Sequence, residues 1–249
     1  MFSWFKNKQD IKIFECKDAK EIANLVSQKV IELVKNKPNS ILILPTGSSP
    51  VETYKAIIND HKKNKTSYSQ VKTFNLDEYV DLKPEFISQS YSNFMNVNLF
   101  DHIDINRNNI HFPNQELVKG KYDKLMKQTG KIDLALLGVG VNGHIGFNEP
   151  NTSICSKTHL TDLDESTRQA NSRFFKNDIN NVPSQAITMG LKTILQASEI
   201  IVIATGNSKK EAIRQLLQTG KFNKQWPITA LKKVKNVSIY IDKEANPKN

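Results

Sequence analysis

A chain of 249 residues, 38% hydrophobic and 24% charged, has enough apolar material for a sizeable core and too much for wholesale disorder. No apolar run approaches the roughly 18–20 residues that span a bilayer, and the opening residues 1–6 are too few, and too soon charged, for a secretory signal. A net charge of +10 raises nucleic acid as a partner, but the lysines lie in scattered pairs such as Lys62-Lys63 and Lys232-Lys233, without a dense basic tract or an aromatic stacking platform, so a solvated basic surface is expected and no nucleic acid.

The spacing predicts a strand at 11–14 and then a helix with Asp18 as N-cap and Glu21 three residues on, a capping-box pattern. Its apolar positions Ile22, Ala23, Val26, Val30 and Val34 share one face, and Asn36-Lys-Pro-Asn39 ends it. A strand at 40–44, a helix at 51–62, a strand at 71–74, a helix at 91–102 and a short strand at 110–112 follow. Beyond them the pattern gives a helix at 116–128, a strand at 132–137, a long irregular stretch, and a helix at 190–197. A strand at 199–204, a helix at 208–218 and a strand at 237–241 complete the chain. Continuous apolar strands suit a parallel sheet covered on both faces, and the alternation predicts an α/β fold: a Rossmann-like doubly wound, mostly parallel sheet with helices on both faces. Without a repeat or a low-complexity linker, one domain over 1–249 is expected. Cys16 and Cys155 have no metal-type spacing and read as free thiols of a reducing compartment, which makes the cytoplasm the expected location.

In such sheets ligands bind beyond the carboxyl ends of the strands, and four loops there carry chemistry. In Leu44-Pro-Thr-Gly-Ser-Ser-Pro50, Gly47 permits close backbone approach while Thr46, Ser48 and Ser49 bring hydroxyls to a helix N-terminus. That is a cradle for one phosphate, although an ordinary capped turn accounts for the same residues. Thr73-Phe-Asn-Leu-Asp-Glu-Tyr79 places Asp77 and Glu78 among apolar neighbours, where a carboxylate can act as general base; a helix cap or surface pair is the commoner fate of an Asp-Glu dipeptide. Gly138-Val-Gly-Val-Asn-Gly-His-Ile-Gly-Phe-Asn-Glu-Pro150 spells GxGxxG, with Asp162 near the place for a ribose-binding acid, but Gly146, Asn148 and Pro150 prevent the helix that a dinucleotide site requires. What remains is a glycine-rich loop presenting His144 and Glu149, an imidazole beside a carboxylate; a lone loop histidine is otherwise solvated or structural. Thr205-Gly-Asn-Ser-Lys-Lys210 sets Lys209 at a helix start, unfavourable for a cation unless an anion binds there, and Arg173 is a further anion contact. A solvated lysine and a surface ion pair are the alternatives at those two positions.

These segments, with Ser90-Tyr-Ser-Asn-Phe94 and the stretch 183–197, resemble the glucosamine-6-phosphate deaminase family in order and spacing, from about residue 10 to the C-terminus. The resemblance implies an enzyme that converts glucosamine 6-phosphate into fructose 6-phosphate and ammonia, with no metal or other cofactor. It implies that Asp77 moves a proton between C2 and C1 and that His144 opens the pyranose ring with Glu149 orienting it. Thr46, Gly47, Ser48, Ser49, Arg173 and Lys209 would hold the 6-phosphate. The partner implied is a small amino-sugar phosphate, with no membrane; family members range from monomers to hexamers, so a homo-oligomer is compatible with it.

Two positions depart from the pattern. Asn142 stands where many members carry Asp beside the Gly-His pair; its amide can join the network but adds no negative charge. His159 and Thr161 replace two basic residues of allosterically activated members, which also extend past the position of Asn249, so no activation by N-acetylglucosamine 6-phosphate is expected; a sigmoidal rate curve made hyperbolic by that compound would contradict this. Three rival readings are a 6-phosphogluconolactonase-like hydrolase, a non-catalytic sugar-phosphate sensor, and a basic nucleic-acid binder. The close match at Asn-Leu-Asp-Glu-Tyr79 argues against the first. The retention of Asp77, His144 and Glu149 together, with no room before the first strand for a helix-turn-helix, argues against the second.

Overall fold

The computed structural model describes residues 5–6, 11–218 and 220–248; most of the opening hexapeptide considered above, and Asn249, lie outside them. In chain order the strands and α-helices are β1 (Phe5–Lys6), β2 (Ile11–Cys16), α1 (Ala19–Asn36), β3 (Ile41–Leu44), α2 (Val51–Asn64), β4 (Lys72–Asn75), β5 (Asp77–Tyr79), α3 (Tyr91–Asn98) and β6 (Ile110–His111). They continue with α4 (Lys121–Thr129), β7 (Leu134–Gly138), β8 (His159–Asp162), α5 (Glu165–Asn171), β9 (Gln185–Thr188), α6 (Leu191–Ile194), β10 (Glu199–Ala204), α7 (Lys210–Leu217) and β11 (Val237–Asp242).

Eight strands form one sheet in the order β1-β2-β11-β10-β7-β3-β4-β6, parallel throughout except for β1 against β2. The apolar runs explain why both faces are covered. In β3, Leu42 and Leu44 pack with Ile22 and Val26 of α1 and Tyr54 and Ile57 of α2. Ile41 and Ile43 turn the other way, into a cluster with Tyr122 and Met126 of α4 and Ile213 and Leu216 of α7. Strands β7 and β10 repeat the alternation, Leu134 and Leu136 against Ala135 and Leu137, and Ile201 and Ile203 against Ile200 and Val202. Helix α1 begins as its sequence dictates: the Asp18 carboxylate accepts from the Glu21 amide at 2.9 Å, and the Glu21 carboxylate accepts from the Lys17 amide at 2.6 Å. Each Ile or Val that α1 buries contributes about 1.5–3 kcal/mol, so Ile22, Val26, Val30 and Val34 outweigh any contribution of its polar face.

Several expected elements are shorter than their patterns. The helix expected over 91–102 ends at Asn98, because Leu99 leaves helical backbone (φ −146°) before the 3₁₀ turn Phe100–His102. The one expected over 116–128 is interrupted at Gly120 (φ +80°), so a 3₁₀ turn at Gln115–Leu117 precedes α4. The long irregular stretch is the larger correction. It contains β8, α5 and β9, and β9 pairs antiparallel with both β8 and β5 to form a second, three-stranded sheet. Tyr79, Phe86, Phe147, Phe175 and Ala186 form a separate apolar cluster beside it.

The strand order fixes the place of the site. From β3 the chain steps outward to β4 and β6; β7 then lies on the other side of β3, and β10 and β11 continue away from it. The reversal falls between β3 and β7, and four consecutive strands, β10, β7, β3 and β4, end beneath the four loops singled out in the sequence. Among the described residues no helix is long and apolar enough to cross a membrane.

Candidate active site

Those loops enclose a cavity of about 220 Å³, and Thr46, Gly47, Ser48, Ser49, Asp77, His144, Arg173 and Lys209 all line it. Asn142 and Glu149 stand behind His144 instead, touching it rather than the cavity.

Asp77 is the first residue of β5, and its backbone is held opposite Thr188 of β9. The residue is 6% exposed, and burial of its carboxyl, reinforced by the charge of Glu78, raises its pKa to about 8. A carboxylate so destabilised takes up a proton more readily than an exposed one. Glu78, the neighbouring acid, does something else: its carboxylate accepts from the Tyr91 and Ser92 amides, both at 2.8 Å, and so starts α3. Successive strand residues point to opposite sides, which is how adjacent acids acquire separate tasks. Gly146 lets the next loop come this close: a Cβ there would lie 2.9 Å from Thr188 Oγ1 and 3.3 Å from Asp77 Oδ2, and its φ of +59° disfavours any side chain.

The loop after β7 contains no helix, as its Gly146, Asn148 and Pro150 predict. The His144 ring lies against Gly140, where a Cβ would sit only 2.3 Å from the imidazole, so glycine is required to seat it. His144 Nδ1 is 3.2 Å from Glu149 Oε2. Asn142 braces the pair, donating from Nδ2 to the same Oε2 at 2.8 Å while its Oδ1 accepts from the His144 amide at 3.3 Å. Thr167 donates to Glu149 Oε1 at 2.6 Å. Burial pushes the Glu149 carboxyl up, but the hydrogen bond and charge of His144, with the bonds from Thr167 and Asn142, outweigh it and hold the group below its ordinary range.

The Thr46 loop is anchored from below by Tyr54, whose hydroxyl donates to the Pro45 carbonyl at 2.5 Å. Arg173 stacks its guanidinium 4.7 Å from the Phe174 ring centroid. Burial, and then the positive charge of Arg173, lowers the pKa of Lys209. Neither cation is ion-paired with a carboxylate among the described residues. Two neighbouring cations beside hydroxyls and backbone amides form a receptor for an anion such as a phosphate. Among the described residues no His/Cys/Asp/Glu group is arranged to hold a metal ion.

The sequence reading missed Tyr91, Ser166, Thr167 and Asn171, which also line the cavity. Asn171 donates to the Tyr79 hydroxyl at 2.9 Å, joining α5 to β5. All but Tyr91 belong to α5, within the stretch read as irregular.

The sequence model of a family described as glucosamine-6-phosphate isomerases/6-phosphogluconolactonase matches residues 17–240. The chain belongs to that family. It is 47% identical over 240 residues to a glucosamine-6-phosphate deaminase of Mycoplasma mycoides subsp. mycoides SC, covering 96% of this chain and 97% of that one. To the glucosamine-6-phosphate deaminase of Halalkalibacterium halodurans it is 43% identical, covering 94% and 96% of the two chains. Among solved structures, a monomeric glucosamine-6-phosphate deaminase superposes with a TM-score of 0.88 at 39% identity, covering 94% of this chain and 98% of that one. A 6-phosphogluconolactonase from Thermotoga maritima, at 18% identity and a TM-score of 0.71, shares the fold.

Proposed function

We propose that the chain is a glucosamine-6-phosphate deaminase, converting glucosamine 6-phosphate and water into fructose 6-phosphate and ammonia. The observation that carries this reading is the shared cavity: a buried carboxylate, an imidazole backed by a second carboxylate, two cations and a hydroxyl-rich turn all meet there. Arg173, Lys209 and the Thr46–Ser49 turn grip the 6-phosphate. His144, held by Glu149 and Asn142, exchanges the proton that opens the pyranose to its aldehyde form. The C2 hydrogen, next to that carbonyl, is then acidic enough for Asp77 to remove it, giving an enolamine. Asp77 returns the proton at C1, which leaves a C=N bond at C2. Water adds to that carbon and the nitrogen departs as ammonia, leaving the C2 ketone. The raised basicity of Asp77 suits both transfers, since the acid and the base forms must each be accessible near neutral pH.

The relatives at 43–47% identity favour this chemistry over lactone hydrolysis, whose Thermotoga maritima enzyme is 18% identical. We read the chain as one α/β domain over 1–249, alone or in a homo-oligomer, acting in the cytoplasm, a location the free thiols of Cys16 and Cys155 favour. Ammonia measured on glucosamine 6-phosphate, beside hydrolysis of 6-phosphogluconolactone, separates the two chemistries. Ammonia release with fructose 6-phosphate formed in equal amount is expected; lactone hydrolysis without ammonia would contradict the proposal.

A further inference from the structure

We propose that Thr167 is a positioning residue for ring opening: its hydroxyl holds one oxygen of Glu149 so that the other stays turned toward His144. This deepens the role given to Glu149 above and rests on it.

The two carboxylate oxygens of Glu149 are divided between two sides of the site. Oε2 takes the Asn142 amide and faces His144 Nδ1, while Oε1 takes, among the described residues, only the Thr167 hydroxyl, at 2.6 Å. The last torsion of a glutamate side chain is broad, so a donor on one oxygen alone leaves the plane of the group loosely set. A second donor, on the far oxygen, fixes it. Thr167 is 7% exposed and its bond to Glu149 is charge-assisted, the stronger and shorter class of hydrogen bond. Its backbone is fixed as well: α5 is tied to Glu149 through Thr167 and, one turn later, to the Tyr79 hydroxyl through Asn171. Arg173 follows two residues after Asn171, so the element that orients Glu149 also leads into the anion grip. The titratable group in contact with Glu149 is His144; Asp77, Tyr91, Arg173 and Lys209 are the other charged or titratable side chains lining the cavity.

Thr167→Val removes the hydroxyl while nearly keeping the shape, and Thr167→Ser keeps the hydroxyl. Steady-state kinetics on glucosamine 6-phosphate are to be measured across pH for both, with Glu149→Gln alongside and a thermal melt of each. Losing a hydrogen bond to a charged group is expected to lower kcat about ten- to hundred-fold in Thr167→Val, with KM changed less than about two-fold. Because the hydroxyl helps keep Glu149 ionised, the acid limb of the kcat profile is expected to move to higher pH, and Thr167→Ser to restore both limb and rate. Wild-type kcat in Thr167→Val, or a lowered melting temperature with the acid limb unmoved, overturns the inference while leaving Glu149 in place. Wild-type turnover by Glu149→Gln overturns the role of Glu149 itself and this inference with it.

Discussion

Around His144, Glu149 accepts from Asn142 and Thr167, so the imidazole and its carboxylate are oriented by the protein itself. In the same cavity, Arg173 and Lys209 sit close enough for one cation to depress the proton affinity of the other, and no carboxylate pairs with either among the described residues. The contrast separates two uses of electrostatics. On the proposed reading, the charges around His144 are prearranged for a chemical step, and the hydrogen bonds of the fold supply the arrangement. On the same reading, repulsion between Arg173 and Lys209 is relieved when a phosphate binds, and the pair supplies affinity. Asp77 adds a third kind of stress, a carboxyl buried without an opposing charge and therefore basic.

If this division holds, variants of the two groups fail differently. The largest effect is expected for Asp77→Asn, which keeps the shape and removes the base: kcat should fall about 10²–10⁴-fold with KM nearly unchanged, read from initial rates of ammonia release. A smaller effect, in the other parameter, is expected for Lys209→Gln: KM should rise about ten- to hundred-fold, the scale of a lost charged hydrogen bond, with kcat much less affected. The smallest concerns stability. The folded-state pKa of Asp77, about 8, lies above the ordinary 3.8, so what its neutral form contributes to stability is complete below pH 3.8 and is lost as pH rises through about 8. Asn cannot ionise, so Asp77→Asn should melt higher than wild type at pH 9, by about 2–4 °C for each kcal/mol relieved. Equal melting temperatures at pH 9 would mean that burial does not penalise the charged form.

The parts of this molecule legible in its sequence are those with a local physical cause. Ile41-Leu-Ile-Leu44 and Leu134-Ala-Leu-Leu137 are apolar on both sides because helices cover both faces of the sheet. Asp18 and Glu21 state a helix start within four residues. The second sheet left no such trace: Asp77-Glu-Tyr79, His159-Leu-Thr-Asp162 and Gln185-Ala-Ile-Thr188 are short, mixed in polarity, and paired across more than twenty residues of chain. Thr167 is illegible for the same reason, since nothing in Glu165-Ser-Thr-Arg-Gln-Ala-Asn171 marks one hydroxyl as bound to a carboxylate 18 positions earlier. Asp77 and Glu78 look alike in sequence, and strand alternation, once β5 is known, gives one to the cavity and the other to the start of α3.

The division of labour is tested most directly by calorimetric titration of Asp77→Asn and Lys209→Gln with glucosamine 6-phosphate. The account predicts that Asp77→Asn binds with near wild-type affinity while releasing almost no ammonia, and that Lys209→Gln binds at least about ten-fold more weakly. Affinity lost as severely in Asp77→Asn as in Lys209→Gln would contradict it.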